Sequence, residues 1–382
     1  MVSKIDARLR AAALAVLVVL AVLVTGAQFR AMWKDDLIVP GPGVTATKML
    51  SDYFPGLAGT AGDTEVFILE GKAPGATCFI LGGTHPNEPS GCLTAMLLVE
   101  RAQVSKGRLV VAPRGNRSGF TCNDPQEGSP QWIHFTLADG SVRAFRFGSR
   151  GTNPLHQWPD PDIYINPSGQ RLSGSENRNL NRAYPGRPEG TLTEKAAYGI
   201  MEVIRQEKAD ISVDLHEASP EYPVIHAIVA HERSEDLAAM AVMDLDFDGI
   251  RMRLEKSPPT FYGLSHRAWG DYSETMALLM ETANPSQGRL RGRTDEHLVL
   301  TGQDRFYVKA AELGRLYVPF DSHGHPIEER VGRHMSALAA IWRNAEFVGS
   351  MLPIEVEGLP DFAEIMEEGY GHFLNPAPAG AV

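Results

Sequence analysis

Between residues 65 and 349 the chain alternates short apolar runs with longer stretches in which apolar positions recur every three to four residues. The runs at 65–69, 77–81, 108–112, 210–215 and 276–280 have the length of buried strands. The stretches at 91–102, 193–207 and 333–349 have the helical period; Cys92, Met96, Leu97 and Val99 supply the apolar positions of the first. Thr191 opens the second, with Glu194 three residues later, the spacing that lets each side chain cap the other's backbone N–H. A shorter helix is expected over 46–53, after the Pro/Gly-rich stretch 39–43. Strands that alternate with helices predict an α/β protein around a largely parallel sheet.

Two segments leave this rhythm. Residues 11–27 are Ala, Leu and Val with one Thr and one Gly; Lys4, Arg8 and Arg10 precede them and the next charge is Arg30. A basic start and an apolar run ending in Thr25-Gly26-Ala27 read as an export signal. Left uncleaved, the run nears the roughly 20 residues that span a bilayer and would anchor the chain in the inner membrane. The upstream positive charges place the rest of the chain outside the cytoplasm, in the periplasm or beyond. A buried core helix fits less well, because the run has no polar face. Residues 121–175 are rich in Pro, Gly, Asp and Arg yet hold Trp132, Phe135, Phe145, Phe147, Trp158 and Tyr164. A plain loop of that length is uncommon and the aromatics argue against disorder, so an excursion packed over one face is expected. The expected layout is a signal or anchor over 1–30, one domain over 31–350 and a tail over 351–382.

Composition narrows the class. At 43% hydrophobic residues the chain is an ordinary globular protein. Its net charge of −11 combines +3 in residues 1–30 with −14 in the rest, which offers no basic surface for nucleic acid. Cys78, Cys92 and Cys122 are too few for a disulfide framework and read as packing residues with at most one bridge.

Chemistry concentrates where three apolar runs end. The first leads into Gly82-Gly83-Thr84-His85-Pro86-Asn87-Glu88. If the chain turns helical here, His85 and Glu88 share a face, and imidazole with carboxylate suits zinc; a lone His-x-x-Glu also arises by chance. The second ends in Asp214-Leu215-His216, whose alternation puts Asp214 and His216 on one face. His216 could be a ligand oriented by Asp214, or a hydrogen-bonded structural histidine. The third delivers Glu281 at the carboxyl end of a strand, where open α/β sheets carry their sites; a solvated carboxylate is the alternative. Between them, Arg178, Asn181 and Arg182 offer planar donors for a carboxylate or an oxyanion. His323 and His325 share a Gly/Pro loop that could take a surface metal, while His226, His266, His297 and His334 show no ligand spacing.

In this order, Gly82 to Gly91, Arg178 to Gly186, Asp214-Leu215-His216 and Glu281 resemble the succinylglutamate desuccinylase/aspartoacylase family, a branch of the carboxypeptidase A-like zinc hydrolases. The resemblance covers about residues 67–285. It implies a three-layer α/β/α fold with a mixed, mostly parallel sheet, and one zinc per chain held by His85, Glu88 and His216. It implies Glu281 as general base and acid, Asn181 and Arg182 as substrate binders, and Arg178 as the arginine that polarises the scissile carbonyl, with Arg171 its rival. The implied reaction is hydrolysis of an amide in an N-acyl amino acid or peptide-like conjugate with a carboxylate, by a zinc-activated water. An envelope carboxypeptidase would use the same groups; a non-catalytic metal-binding protein would have no use for Glu281. The chain departs from the family pattern in having Asn179 for Asp and Pro86 for Gly, and a gating tyrosine is not identified, Tyr262 and Tyr272 being candidates.

Overall fold

Alternate residues along the strands point into two separate cores, one on each face of a single sheet. Cys78, Ile80, Leu109 and Val111 enter one core, while Phe79, Leu81, Val110 and Ala112 enter the other. That alternation is what a sheet covered on both faces requires.

The computed structural model describes residues 7–124 and 128–378, so Lys4 and residues 379–382 lie outside the described residues. The amino-terminal part contains α1 (Ala7–Ala31), β1 (Ala46–Met49), α2 (Leu50–Tyr53), β2 (Glu65–Glu70), β3 (Ala73–Leu81), α3 (Pro89–Arg101) and β4 (Gln103–Ala112). The excursion contains β5 (Trp132–Thr136), β6 (Val142–Arg146), β7 (Ile163–Ile165) and β8 (Arg171–Ser173). Next come α4 (Leu192–Gln206), β9 (Ile211–Ala218), β10 (Ala227–Ala230), α5 (Glu235–Phe247), β11 (Arg253–Lys256), α6 (Ser265–Tyr272) and β12 (Met276–Ala283). The chain closes with α7 (Glu296–Thr301), α8 (Arg305–Glu312), α9 (Ile327–Asn344), β13 (Glu355–Glu357) and α10 (Phe362–Glu368).

Among the described residues nine strands form the main sheet, in the order β1-β2-β4-β3-β9-β12-β10-β11 with β13 also on β4. The central strands β4, β3, β9 and β12 run parallel, and antiparallel pairs flank them. Side chains of α3, α5 and α9 close the first core, and those of α2, α4 and α6 the second. The fold is therefore the expected three-layer α/β/α arrangement around a mixed sheet. Its parallel centre brings the carboxyl ends of β3, β9 and β12 together, with Leu81 beside Asp214 and His216 beside Glu281 in register.

Several expectations need correction. The helix expected over 46–53 is a strand followed by one helical turn, because Ala46 to Met49 pair with β2 as its outer neighbour; Leu50 and Tyr53 then enter the second core. The last long helix starts at Ile327, six residues ahead of 333, and ends at Asn344. The tail expected over 351–382 is, over its described residues 351–378, packed on the body: β13 joins the sheet, Ile365, Tyr370 and Leu374 enter the first core, and Tyr370 Oη donates to Leu93 O at 2.9 Å. The excursion packs through the β5–β6 hairpin and the residue after it, which bury Ile133, Phe135, Phe145 and Phe147, and through Tyr164 of the β7–β8 hairpin, whereas Trp158 is exposed. All three cysteines are free. The capping box of Thr191 and Glu194 forms at the start of α4.

The helix α1 buries none of its 25 residues and is long and apolar enough to cross a membrane. The body begins directly after it, where Met32 is buried and Asp36 pairs with Arg114 at 3.0 Å.

Candidate metal centre

After β3 the chain turns through Gly82-Gly83. Gly83 has a φ of +64°, and a Cβ there would meet Pro113 O at 2.8 Å and the Phe120 ring at 2.9 Å, so the turn needs glycine. Glu88 N–H donates to His85 O at 2.9 Å, and Pro89 opens α3 with its ready-made helical φ. His85 and Glu88 therefore meet across a turn, and not along a helix as their spacing suggested. Glu88 sits just ahead of α3, where unpaired N–H groups favour a carboxylate.

Glu88 lies between two imidazoles. His85 Nδ1 is 2.8 Å from Oε1, and His216 Nδ1 is 2.9 Å from Oε2. All three residues are buried, and their ligand-type atoms lie within 4.8 Å of one another. The outer ring nitrogens are also held: His85 Nε2 is 2.9 Å from Asn179 Oδ1, and His216 Nε2 is 2.8 Å from Asp214 Oδ2. The Asn179 orientation is fixed because its Nδ2 donates to Glu176 Oε2 at 2.7 Å. Both outer partners accept, so each Nε2 carries a proton, and in its neutral form each ring turns an Nδ1 lone pair toward the carboxylate. Lone pairs that face a carboxylate repel it unless a cation lies among them. Two imidazoles and a carboxylate, each ring oriented from behind, are a donor set that fits zinc.

Without a metal, protons carry that charge. Burial disfavours charge on His216, yet Asp214 and Glu88 hold it well above the usual histidine range. Burial and then Arg150 push His85 down to about 4. Burial raises Glu88, but His85 and His216 outweigh it and draw the carboxylate well below its usual range.

The three residues line a cavity of about 670 Å³ together with Glu281, Asn181, Arg182, Arg150 and Phe147. On β12, Leu279 and Glu281 face this cavity while Met280 points into the first core. Glu281 Oε2 is buried without a hydrogen-bond partner. Burial raises its carboxyl to about 8, helped by Glu88 and Asp214 and opposed by His216 and Arg150. A carboxyl that titrates near neutrality suits proton transfer. Asn181 Oδ1 accepts from Ser265 N at 2.8 Å, and Arg182 Nη1 donates to Asn181 O at 2.6 Å.

Of the expected residues, His85, Glu88, His216, Glu281, Asn181 and Arg182 share this cavity; Arg178 and Arg171 do not line it. Arg178 is engaged by Asp160, with Nε to Oδ1 at 2.9 Å and Nη2 to Oδ2 at 3.0 Å, and donates to Thr152 O at 3.1 Å. Arg171 is an exposed residue of β8. The arginine over the centre is Arg150, whose Nη1 is 2.7 Å from Glu88 Oε1. It comes from the irregular excursion, where no period or motif marks it. Tyr262 and Tyr272 are exposed and do not line the cavity, whereas Tyr222 does. His266 also lines it, bonded through Nδ1 to Ser257 Oγ at 2.7 Å and lowered by burial to about 3.

No protein-family model matches the sequence, and no curated protein matches it significantly. Among solved structures, a succinylglutamate desuccinylase from a Silicibacter species aligns at TM-score 0.41 and 15% identity, over 78% of this chain and 64% of that one. A metallo-carboxypeptidase from Burkholderia cenocepacia aligns at TM-score 0.45 and 13% identity, over 78% and 64%. A succinylglutamate desuccinylase/aspartoacylase from Rhodobacter sphaeroides aligns at TM-score 0.35 and 19% identity, over 57% and 51%. The chain thus spans under two thirds of the length of each.

Proposed function

We propose that the chain is a zinc-dependent hydrolase that cleaves an amide bond in an N-acyl amino acid or peptide-like conjugate bearing a carboxylate. One observation carries the reading: Glu281, with an unpartnered buried oxygen, stands in register beside His216, whose Nδ1 joins that of His85 around Glu88. Bound by His85, Glu88 and His216, zinc would supply a Lewis acid that lowers the pKa of water toward about 7. Glu281 Oε2 takes the proton of the attacking water and returns it to the leaving amine. Arg150, 2.7 Å from Glu88, holds the negative charge that develops on the carbonyl oxygen; the pairing of Arg178 with Asp160, away from the cavity, supports Arg150 over Arg178 in this role. Arg182 and Asn181 grip the substrate carboxylate. The excursion supplies Phe147 and Arg150 to the cavity wall and narrows the choice of acyl group. The helix α1 serves as export signal or inner-membrane anchor and leaves the catalytic body in the periplasm.

The test is metal analysis followed by turnover on a panel of N-acyl amino acids and free-carboxylate peptides. Zinc with preferential release of an acyl group supports the reading. Preferential trimming of peptide carboxyl ends assigns an envelope carboxypeptidase instead, and zinc without any hydrolysis assigns a binding protein.

A further inference from the structure

A second group of imidazoles and carboxylate lies away from this cavity. His226 immediately precedes β10, whose Val229 lines the cavity while Ile228 and Ala230 enter the first core on the α9 side. Its side chain meets that α9 side: the His226 and His325 rings are 5.4 Å apart edge to face, and His325 Nδ1 is 2.9 Å from Glu329 Oε2 in the first turn of α9.

Three features set this group apart from a surface ion pair. His226 has a left-handed backbone, φ +45°, which a residue without glycine's freedom adopts at a cost and which often marks a functional position. Its Nε2 is buried with no hydrogen-bond partner. His325 repeats the pattern of the first centre, since Nε2 lies 3.0 Å from Pro319 O, a carbonyl that only accepts, and Nδ1 therefore turns a lone pair toward Glu329. The other Glu329 oxygen is held from behind by Arg333 Nε at 2.9 Å. A proton on His325 would satisfy Glu329 but leave His226 Nε2 without a partner. A metal ion satisfies all three, whose ligand-type atoms lie within 4.8 Å of one another. The cluster of His231, Glu232 and Asp271 differs, because the Arg267 guanidinium already contacts all three.

We infer that His226, His325 and Glu329 form a second site for zinc or a similar imidazole-preferring divalent ion, on the face of the sheet opposite the catalytic cavity. Two imidazoles and one carboxylate select this class over magnesium and calcium, which prefer oxygen donors. The ion ties the turn before β10 and the 319–325 loop to the start of α9. That helix also carries Arg330, whose fully buried pair with Glu217 stands behind Glu88.

The experiment counts zinc in detergent-solubilised full-length protein after dialysis against a zinc buffer, with magnesium alone as the control. Wild type should hold two equivalents, with none for magnesium. His226→Asn, which keeps a residue tolerant of left-handed φ, should hold one and retain amide turnover. Glu329→Gln should also hold one, and it carries the test should His226→Asn fail to fold by circular dichroism. His216→Ala should keep one equivalent while losing turnover. A single wild-type zinc that disappears in His216→Ala would overturn the second site, as would two equivalents in both His226→Asn and Glu329→Gln. A single zinc lost in His226→Asn but kept in His216→Ala would support this site and contradict the catalytic centre.

Discussion

Replacing Glu281 by Gln keeps the side chain's shape and a carbonyl oxygen but removes its ability to accept a proton. Loss of general-base catalysis costs about 10²–10⁴-fold in turnover, or about 2.7–5.5 kcal/mol of barrier. The same substitution makes a stability prediction with a definite sign. Glu281 is raised from 4.5 to about 8 by burial, so the folded protein keeps this proton over a range in which the unfolded chain has released it. The resulting stability is fully present below 4.5 and is lost as pH rises through about 8. At about 1.4 kcal/mol for each pH unit between those limits, the loss amounts to a few kcal/mol. A glutamine stays neutral throughout. Metal-free Glu281→Gln should therefore match wild type near pH 4, gain on it steadily above that, and gain nothing more beyond about pH 9. Urea unfolding of both metal-free proteins across this range measures the stability effect, and turnover with zinc content on one preparation measures the catalytic effect. Wild-type turnover in a fully zinc-loaded Glu281→Gln would refute the assignment of the base. A stability difference that does not vary with pH would refute the buried, proton-holding carboxyl.

Other predictions bear on neighbouring groups. Asp214→Asn lets the new amide donate to His216 Nε2 and shifts the ring proton to Nδ1; zinc affinity should fall about 10–100-fold by chelator competition, and unchanged affinity would exclude an orienting role. Arg150→Ala should lower kcat about 10²–10³-fold with zinc retained, while Arg178→Ala should cost about 1–3 kcal/mol of stability and leave kcat of the loaded enzyme near wild type. The reverse pattern in steady-state kinetics would return the carbonyl role to Arg178. Phe147→Leu should change the ratio of kcat/KM between bulky and small acyl groups; a uniform change across the panel would make the excursion a cover without selectivity. An alkaline-phosphatase fusion after residue 40 should be active in a bacterial host, and an active cytoplasmic reporter at that joint would reverse the orientation.

The candidate ligands were legible because His85 and Glu88 follow one apolar run of strand length and His216 ends another, so sequence order and sheet order bring them to one edge. Glu281 was legible for the same reason, and its register beside His216 follows from β9 and β12 being parallel neighbours. The arginines were not. A guanidinium at the end of a long, flexible stem goes to whichever carboxylate the tertiary structure offers, and Asp160 of the excursion takes Arg178 while Arg150 reaches Glu88. The edge strand β1 was hidden because Ala46-Thr47-Lys48-Met49 has neither an apolar run nor a strict alternation, and pairing with β2 decides its state. The carboxyl-terminal segment was hidden because its buried residues, Ile365, Tyr370 and Leu374, are spaced too widely to form an apolar run. The role of Asn179 also needed the fold: its Glu176 contact fixes which amide atom faces His85, so an asparagine does there what an acidic residue would do.

The central claim is that His85, Glu88 and His216 bind zinc through the two Nδ1 atoms and the carboxylate between them. Anomalous diffraction at the zinc edge from crystals of zinc-loaded protein tests it most directly. The account predicts a strong peak in bonding contact with His85 Nδ1, Glu88 and His216 Nδ1, with both Nε2 atoms still facing Asn179 and Asp214. Fully zinc-loaded crystals with no peak among these three residues would contradict it.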